Sequence, residues 1–153
     1  DTINLSKIIE ENRQMIAVNA QNKQLSITTP ENNSIEVYAD FNMVNMILRN
    51  LLNNAVKFTP DGGRIMIDTE KKNDRVFVSI KDTGVGISPE DRKKLFKLDE
   101  FHTTTGTAGE AGTGLGLIVC KEFIKKHKGE LIVESDKNKG STFTFDLPSH
   151  KTN

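Results

Sequence analysis

Apolar residues follow two rhythms along this chain. Between Asp40 and Thr59, Val44, Ile47, Leu48, Leu51, Leu52 and Ala55 recur at helical spacing. They predict an amphipathic helix capped by Asp40 and ended by Thr59-Pro60, because proline disfavours helical backbone in the residue before it. Ile8, Ile9, Met15 and Ile16 mark an earlier helix, from a Ser6 cap to about Asn19. A third runs from Leu115 to Lys128, where Gly129 stops it, and Ser88-Pro89-Glu90-Asp91 opens a short one with cap, proline and first-turn acids in order. Strand signals mark Arg64 to Glu70 and Val76 to Lys81, joined by a hairpin turn at Asn73-Asp74, and then Glu130 to Ser135 and Ser141 to Leu147. Leu25 to Thr28 and Ile35 to Ala39 read as two short strands joined by the turn Pro30-Glu31-Asn32-Asn33. These elements predict an α/β fold: a two-layer sandwich whose mixed, mostly antiparallel sheet is covered on one face by about three helices. The other face is expected to be partly solvated or to meet another domain.

One stretch has no rhythm. From about Lys97 to Thr113 the chain is polar and rich in threonine and glycine. A loop of that length inside a compact domain is usually a functional lid or disorder.

Composition narrows the classes. The chain has 153 residues, enough for one domain, and its 21 basic and 21 acidic side chains cancel. That balance gives no electrostatic reason to expect nucleic acid or a membrane surface as partner. No apolar run is long enough to span a bilayer, and no signal-peptide pattern opens the chain. The single cysteine, Cys120, lies in an apolar helical stretch; a buried inert thiol in a reducing, cytoplasmic setting fits. Because the chain begins at Asp1, it is expected to be one domain of a longer protein, whose own membrane anchoring is left open.

Three segments carry candidate chemistry. In Asn50-Leu51-Leu52-Asn53-Asn54-Ala55-Val56-Lys57, the side chains of Asn50, Asn54 and Lys57 fall in a band about 60° wide beside the core stripe. An asparagine oxygen is a hard neutral ligand that suits magnesium, and a lysine is a point-charge partner for phosphate. Asp82-Thr83-Gly84-Val85-Gly86-Ile87 places a carboxylate at a strand end before a glycine turn. Such a carboxylate accepts hydrogen bonds from the amino group of adenine. Gly112-Thr113-Gly114-Leu115-Gly116-Leu117 opens a helix whose N-terminal amides suit phosphate, although it is neither a Rossmann fingerprint nor a Walker loop. Each alone equally fits an ordinary role: a solvated helix face, a β-turn, a flexible helix start. His102, His127 and His150 are isolated, with no metal-ligand spacing, and read as structural.

Taken in order, the segments resemble the catalytic ATP-binding domain of bacterial sensor histidine kinases, in the superfamily shared with DNA gyrase and a heat-shock chaperone. The resemblance spans about Leu5 to Pro148. It includes an asparagine box at Asn50 to Thr59, glycine boxes at Asp82 to Ile87 and Gly112 to Leu117, a phenylalanine box at Leu95-Phe96 with Phe101, and a closing strand at Lys139-Gly140-Ser141-Thr142-Phe143. It implies one domain over residues 1–153, with ATP and Mg2+ as ligands. Asn54 is the implied metal ligand, Lys57 the phosphate contact, and Asp82 the adenine anchor, helped by a water near Thr142. Gly84, Gly86 and Ile87 are implied to shape the adenine pocket. Phe96, Gly112, Thr113, Gly114, Leu115 and Gly116 are placed around the nucleotide, with a lid at about residues 97–112. The hydrolytic relatives carry a glutamate where this chain has Asn50, and an amide is no general base. Transfer of the γ-phosphoryl group to a histidine is therefore the implied reaction. The acceptor sits on a separate helical hairpin that also dimerises the parent, and a response regulator lies downstream; that hairpin is absent here. The lid residues 101–110 carry no lysine or arginine. This keeps open an alternative, a nucleotide-binding module or ATPase of the same superfamily without histidine phosphotransfer.

Overall fold

The structure is a computed structural model that describes residues 1–31, 34–94 and 115–151, with Lys94 and Leu115 described by backbone alone. Strand β1 (Thr2–Asn4) leads into helix α1 (Leu5–Asn22), followed by the short strands β2 (Ser26–Thr28) and β3 (Glu36–Tyr38). Then come helix α2 (Phe41–Phe58), the hairpin β4 (Arg64–Lys72) and β5 (Arg75–Asp82), and helix α3 (Pro89–Lys94). Helix α4 (Leu115–Lys126) and strands β6 (Leu131–Ser135) and β7 (Ser141–Pro148) complete the chain.

The main sheet has the order β2-β4-β5-β7-β6, with β2 parallel to β4 and every other pair antiparallel. Helix α2 packs between α1 and α4 and also against β5. The anticipated α/β sandwich is thus what the chain forms.

Parity decides which side chains meet the helices. Ile65 and Ile67 of β4, Val76, Val78 and Ile80 of β5, and Phe143, Phe145 and Leu147 of β7 are buried. From α2, Val44, Ile47, Leu48, Leu51, Leu52, Ala55 and Val56 close the layer. Full burial of a Val, Leu or Ile side chain is worth roughly 1.5–3 kcal/mol, so α2 is the main anchor of the helical face. The opposite sheet face is mixed and part-exposed: Met66, Phe77 and Ile132 share it with Ser79 and Thr144, whose hydroxyls lie 3.1 Å apart.

Three expectations need correction. Strands β2 and β3 do not form a hairpin: β2 pairs with β4, while β3 pairs with β1 in a separate two-stranded sheet. Strands of three residues carry too little local signal to choose a partner. Helix α1 starts at Leu5 and runs to Asn22, and its cap is Asn4, whose side chain accepts from Lys7 N–H. The Ser6 hydroxyl instead accepts from Ile35 N–H at 3.1 Å, fastening the helix start to the segment before β3.

Candidate functional site

The site grows from the C-terminal end of α2. A helix end leaves carbonyls unpaired, and here Lys23 reaches in from α1's end, 6% exposed, with its ammonium 2.8 Å from Val56 O and 3.3 Å from Lys57 O. The Phe58 carbonyl accepts from Val85 N–H at 3.1 Å. The loop after β5 is thereby seated on the end of α2. Thr83 ties the same loop to β4, its hydroxyl accepting from Arg64 N–H at 2.9 Å.

Only glycine fits at two points of this loop. A Cβ on Gly84 would lie 2.4 Å from Phe58 O and 2.6 Å from Asp82 Oδ1. At Gly86, φ is +72° and a Cβ would lie 1.8 Å from the Asp136 carbonyl oxygen, so the loop touches both α2 and the β6–β7 turn. Ile87 is half-buried against the core and donates its N–H to Ser135 Oγ at 2.8 Å.

Asp82 lies at the centre, 5% exposed. Its carboxylate accepts from Gly84 N–H at 2.8 Å and from the Ser141 backbone. Burial pushes its pKa up to about 6, against the two amide hydrogen bonds that favour the charged form. Held among the described residues by the backbone amides of Gly84 and Ser141, this buried acid keeps acceptor capacity for a donor from outside.

Asn50, Asn54 and Lys57 are all half-buried beside the core stripe, as their spacing requires. Asn50 faces α4: a Cβ on Gly116 would lie 3.0 Å from its Oδ1, and its amide hydrogen-bonds the Cys120 thiol. The Lys57 ammonium lies 4.8 Å from the centroid of the Phe58 ring. Cys120 is buried and its pKa is pushed up to about 12, the inert thiol anticipated. His127 accepts from Asp40 N–H and contacts Phe123 O, a structural bridge between α4 and the start of α2.

Thr142 does not join this group. It pairs with Lys81 in the β5–β7 register, while Ser141 pairs with Asp82. Side chains alternate between faces, so Ser141, 8% exposed, is the hydroxyl beside Asp82, and Thr142 points to the opposite face. The pattern held this signal: Ser141 shares parity with Phe143, Phe145 and Leu147. Ser135 and Lys23 were also missed, and no local pattern marks either. Phe96, Gly112, Thr113, Gly114 and the lid at about residues 97–112 lie outside the described residues, and of Leu115 only the backbone, opening α4, is described.

Among the described residues no group of three or more His, Cys, Asp or Glu side chains is placed to hold a metal ion. Asn54 offers one neutral oxygen, which fits a magnesium ion that arrives already held by phosphates. No helix among the described residues is long and apolar enough to cross a membrane.

Comparison with known proteins places the fold in a family. Residues 39–151 match the family described as histidine kinase-, DNA gyrase B-, and HSP90-like ATPase. The adaptive-response sensory kinase SasA of Synechococcus sp. (strain CC9311) is 40% identical over 114 residues, covering 74% of this chain and 30% of that protein. The sensor histidine kinase WalK of Bacillus subtilis (strain 168) is 36% identical over 116 residues, covering 73% of this chain and 19% of that protein. The chain therefore spans under a third of the length of either relative. Among solved structures, the nucleotide-free catalytic domain of histidine kinase ThkA superposes with a TM-score of 0.83 at 30% identity, covering 97% of this chain and 95% of that one. ThkA in complex with the response regulator protein TrrA superposes at 0.80 with 26% identity, covering 98% of this chain and 42% of that one.

Proposed function

Because this chain belongs to the family of histidine kinase-, DNA gyrase B-, and HSP90-like ATPases, we propose that it is the ATP-binding catalytic domain of a sensor histidine kinase. The observation that carries this reading is Asp82: buried, raised towards neutrality, held by backbone amides, and set where the end of α2, the glycine loop and the start of β7 meet. At neutral pH the carboxylate is charged and accepts the adenine amino group. Asn54 and Lys57, one and two turns closer to the end of α2 than Asn50, face the phosphates. Asn54 is the residue that would hold Mg2+, which when bound neutralises phosphate charge.

The reaction is γ-phosphoryl transfer to a histidine of a helical hairpin elsewhere in the parent protein. A ring nitrogen forms the new N–P bond, the bond from the γ-phosphorus to the bridging oxygen breaks, and ADP leaves. The protein's part is orientation and charge neutralisation. Asn50, an amide held against Gly116 and Cys120, supplies no base to activate water. Sensor kinase relatives and a structural neighbour bound to a response regulator support two-component signalling as the setting.

The test has two stages. Calorimetry of ATP with and without Mg2+ is expected to show metal-dependent binding. Radiolabel from γ-labelled ATP is then expected to appear on an added helical-hairpin histidine domain. Binding without transfer to any hairpin of this kind would leave a nucleotide-binding module; absence of ATP binding would remove the proposal.

A further inference from the structure

Ser135, at the end of β6, lies in no motif that the sequence singles out. It is 8% exposed and stands in a row with Ser141 and Asp82, since Ser135 pairs with Ser141 across β6–β7 and Ser141 pairs with Asp82 across β5–β7. Its hydroxyl has three partners: Ile87 N–H at 2.8 Å, the Gly140 carbonyl at 2.9 Å and the Ser141 hydroxyl at 2.8 Å. Its own carbonyl accepts from Arg92 Nη1 at 3.1 Å, which fixes the strand end to α3.

A serine hydroxyl has one proton and two lone pairs. Ile87 N–H occupies one lone pair. The Gly140 carbonyl can only accept, so the Ser135 proton goes there. What remains for Ser141 is the second lone pair, and the Ser141 proton is directed back at Ser135. Ser141 then presents only lone pairs on its other side, next to a carboxylate that also only accepts.

We propose that Ser135 is a specificity-determining positioning residue: by holding the Ser141 hydroxyl as an acceptor, it makes the Asp82–Ser141 corner a site for an amino group and against a carbonyl. The inference rests on the adenine reading of Asp82 and adds what enforces it. A 6-amino purine meets acceptors with two donors, whereas a 6-oxo purine meets acceptors with an acceptor. Without Ser135 the Ser141 hydroxyl is free to turn and donate to a 6-oxo group.

The experiment measures affinities for ATP, inosine triphosphate and purine riboside triphosphate, which lacks any 6-substituent, in the whole chain. Ser135→Ala is expected to lower the ATP-to-inosine preference roughly 3–10-fold, the worth of one neutral hydrogen bond, and to leave purine riboside triphosphate unchanged. Ser135→Thr keeps the hydroxyl and is expected to keep the preference. A merely structural role would weaken all three nucleotides alike, and that result, or an unchanged preference in a folded Ser135→Ala, overturns the inference. Should Ser135→Ala not fold, Ser135→Thr decides alone: loss of the preference in the folded threonine variant, which keeps the hydroxyl, overturns the inference, and its retention supports it. Asp82→Ala separates the two levels. If it abolishes the preference while Ser135→Ala does not, the inference fails and the adenine reading stands; if it leaves the preference intact, both fail.

Discussion

Two buried aspartates on or beside the β5–β7 ladder are treated in opposite ways. Asp146 on β7 lies across from Phe77, and Arg75 holds its carboxylate at 2.7 Å while also donating to His127 O at 3.0 Å. The Glu130 N–H adds a further bond to Asp146 at 2.8 Å. This cluster ties the end of α4 and the start of β6 to the sheet. Asp82, at the far end of β5, is as buried but is held by backbone amides, and its pKa rises to about 6. A folded chain gains from closing a guanidinium on one acid. It gains nothing from burying the other, whose charge the fold destabilises. The difference separates an acid that holds the fold from one kept for a ligand.

The comparison breaks most visibly at Asp146. Asp146→Ala leaves Arg75, whose side chain is 23% exposed, without its carboxylate, and losing one partner of a buried pair costs about 3 kcal/mol. A fall in Tm of about 6–12 °C is expected, with ATP affinity, measured well below the transition, within about twofold of the parent on the view that distant sites act independently. Differential scanning calorimetry and a nucleotide titration check the two halves. A mutant that melts like the parent would mean that Arg75 and Asp146 do not form a structural clamp.

Asp82 is expected to show the reverse. A charge-assisted hydrogen bond is worth about 1.5–3 kcal/mol, so Asp82→Ala weakens ATP binding roughly 10–150-fold. Stability moves the other way. With its pKa raised from 3.8 to about 6, the folded state holds the proton more tightly than the unfolded state. Stability is therefore highest below pH ~4, falls as pH rises through about 6, and above that carries a penalty of up to ~3 kcal/mol. Asp82→Asn keeps an acceptor for Gly84 N–H and removes the penalty. It is expected to melt higher than the parent at pH 7.5 and with the parent below pH 4. Urea unfolding at both pH values decides this, and a destabilised Asp82→Asn at pH 7.5 would place Asp82 with Asp146 as a structural acid.

Much of the fold, and one side of this contrast, was legible in the sequence. The long helices and the β4–β5 hairpin follow from periodicity, because each buries a continuous face. Asp82 stood out as an acid at a strand end before glycines. What stayed hidden depends on partners distant in the chain: β2 and β3 choose different sheets, Lys23 closes α2 from across a loop, and Ser135 acts through Ser141 and Ile87. Asp146 gave no sign of its clamp, since Arg75 is 71 positions away. Thr142 lies one residue out of step with Asp82, and one residue moves a strand side chain to the other face of the sheet.

Farther along the site, Asn54 sharpens the contrast between recognition of the base and handling of the phosphates. It is half-buried on α2, and Asn54→Ala removes one neutral oxygen without opening the core. The expected outcome is a roughly tenfold smaller enhancement of ATP binding by Mg2+, about 1.4 kcal/mol, with metal-free binding unchanged. Titrating magnesium at fixed nucleotide measures it. An identical magnesium dependence in mutant and parent would move the ligand elsewhere.

The smallest effect tests the parity itself. Ser141 and Thr142 are adjacent hydroxyl residues, and β7 sends them to opposite faces: Ser141 towards Asp82, Thr142 towards Lys81. If the Asp82 corner reads the base, only the first can matter to it. Ser141→Ala removes a neutral hydrogen-bonding group worth about 0.5–1.5 kcal/mol, so ATP affinity is expected to fall roughly 2–12-fold. Thr142→Ala trims a part-exposed side chain on the far face, where substitutions usually stay within about 0.5 kcal/mol in stability, and is expected to leave affinity unchanged. Calorimetric titration of both variants against ATP at pH 7.5, where Asp82 is charged, makes the comparison directly. A loss at Thr142 with none at Ser141 would show that the nucleotide contacts the other face of β7. It would also take the base-reading role away from Asp82, which shares its face with Ser141.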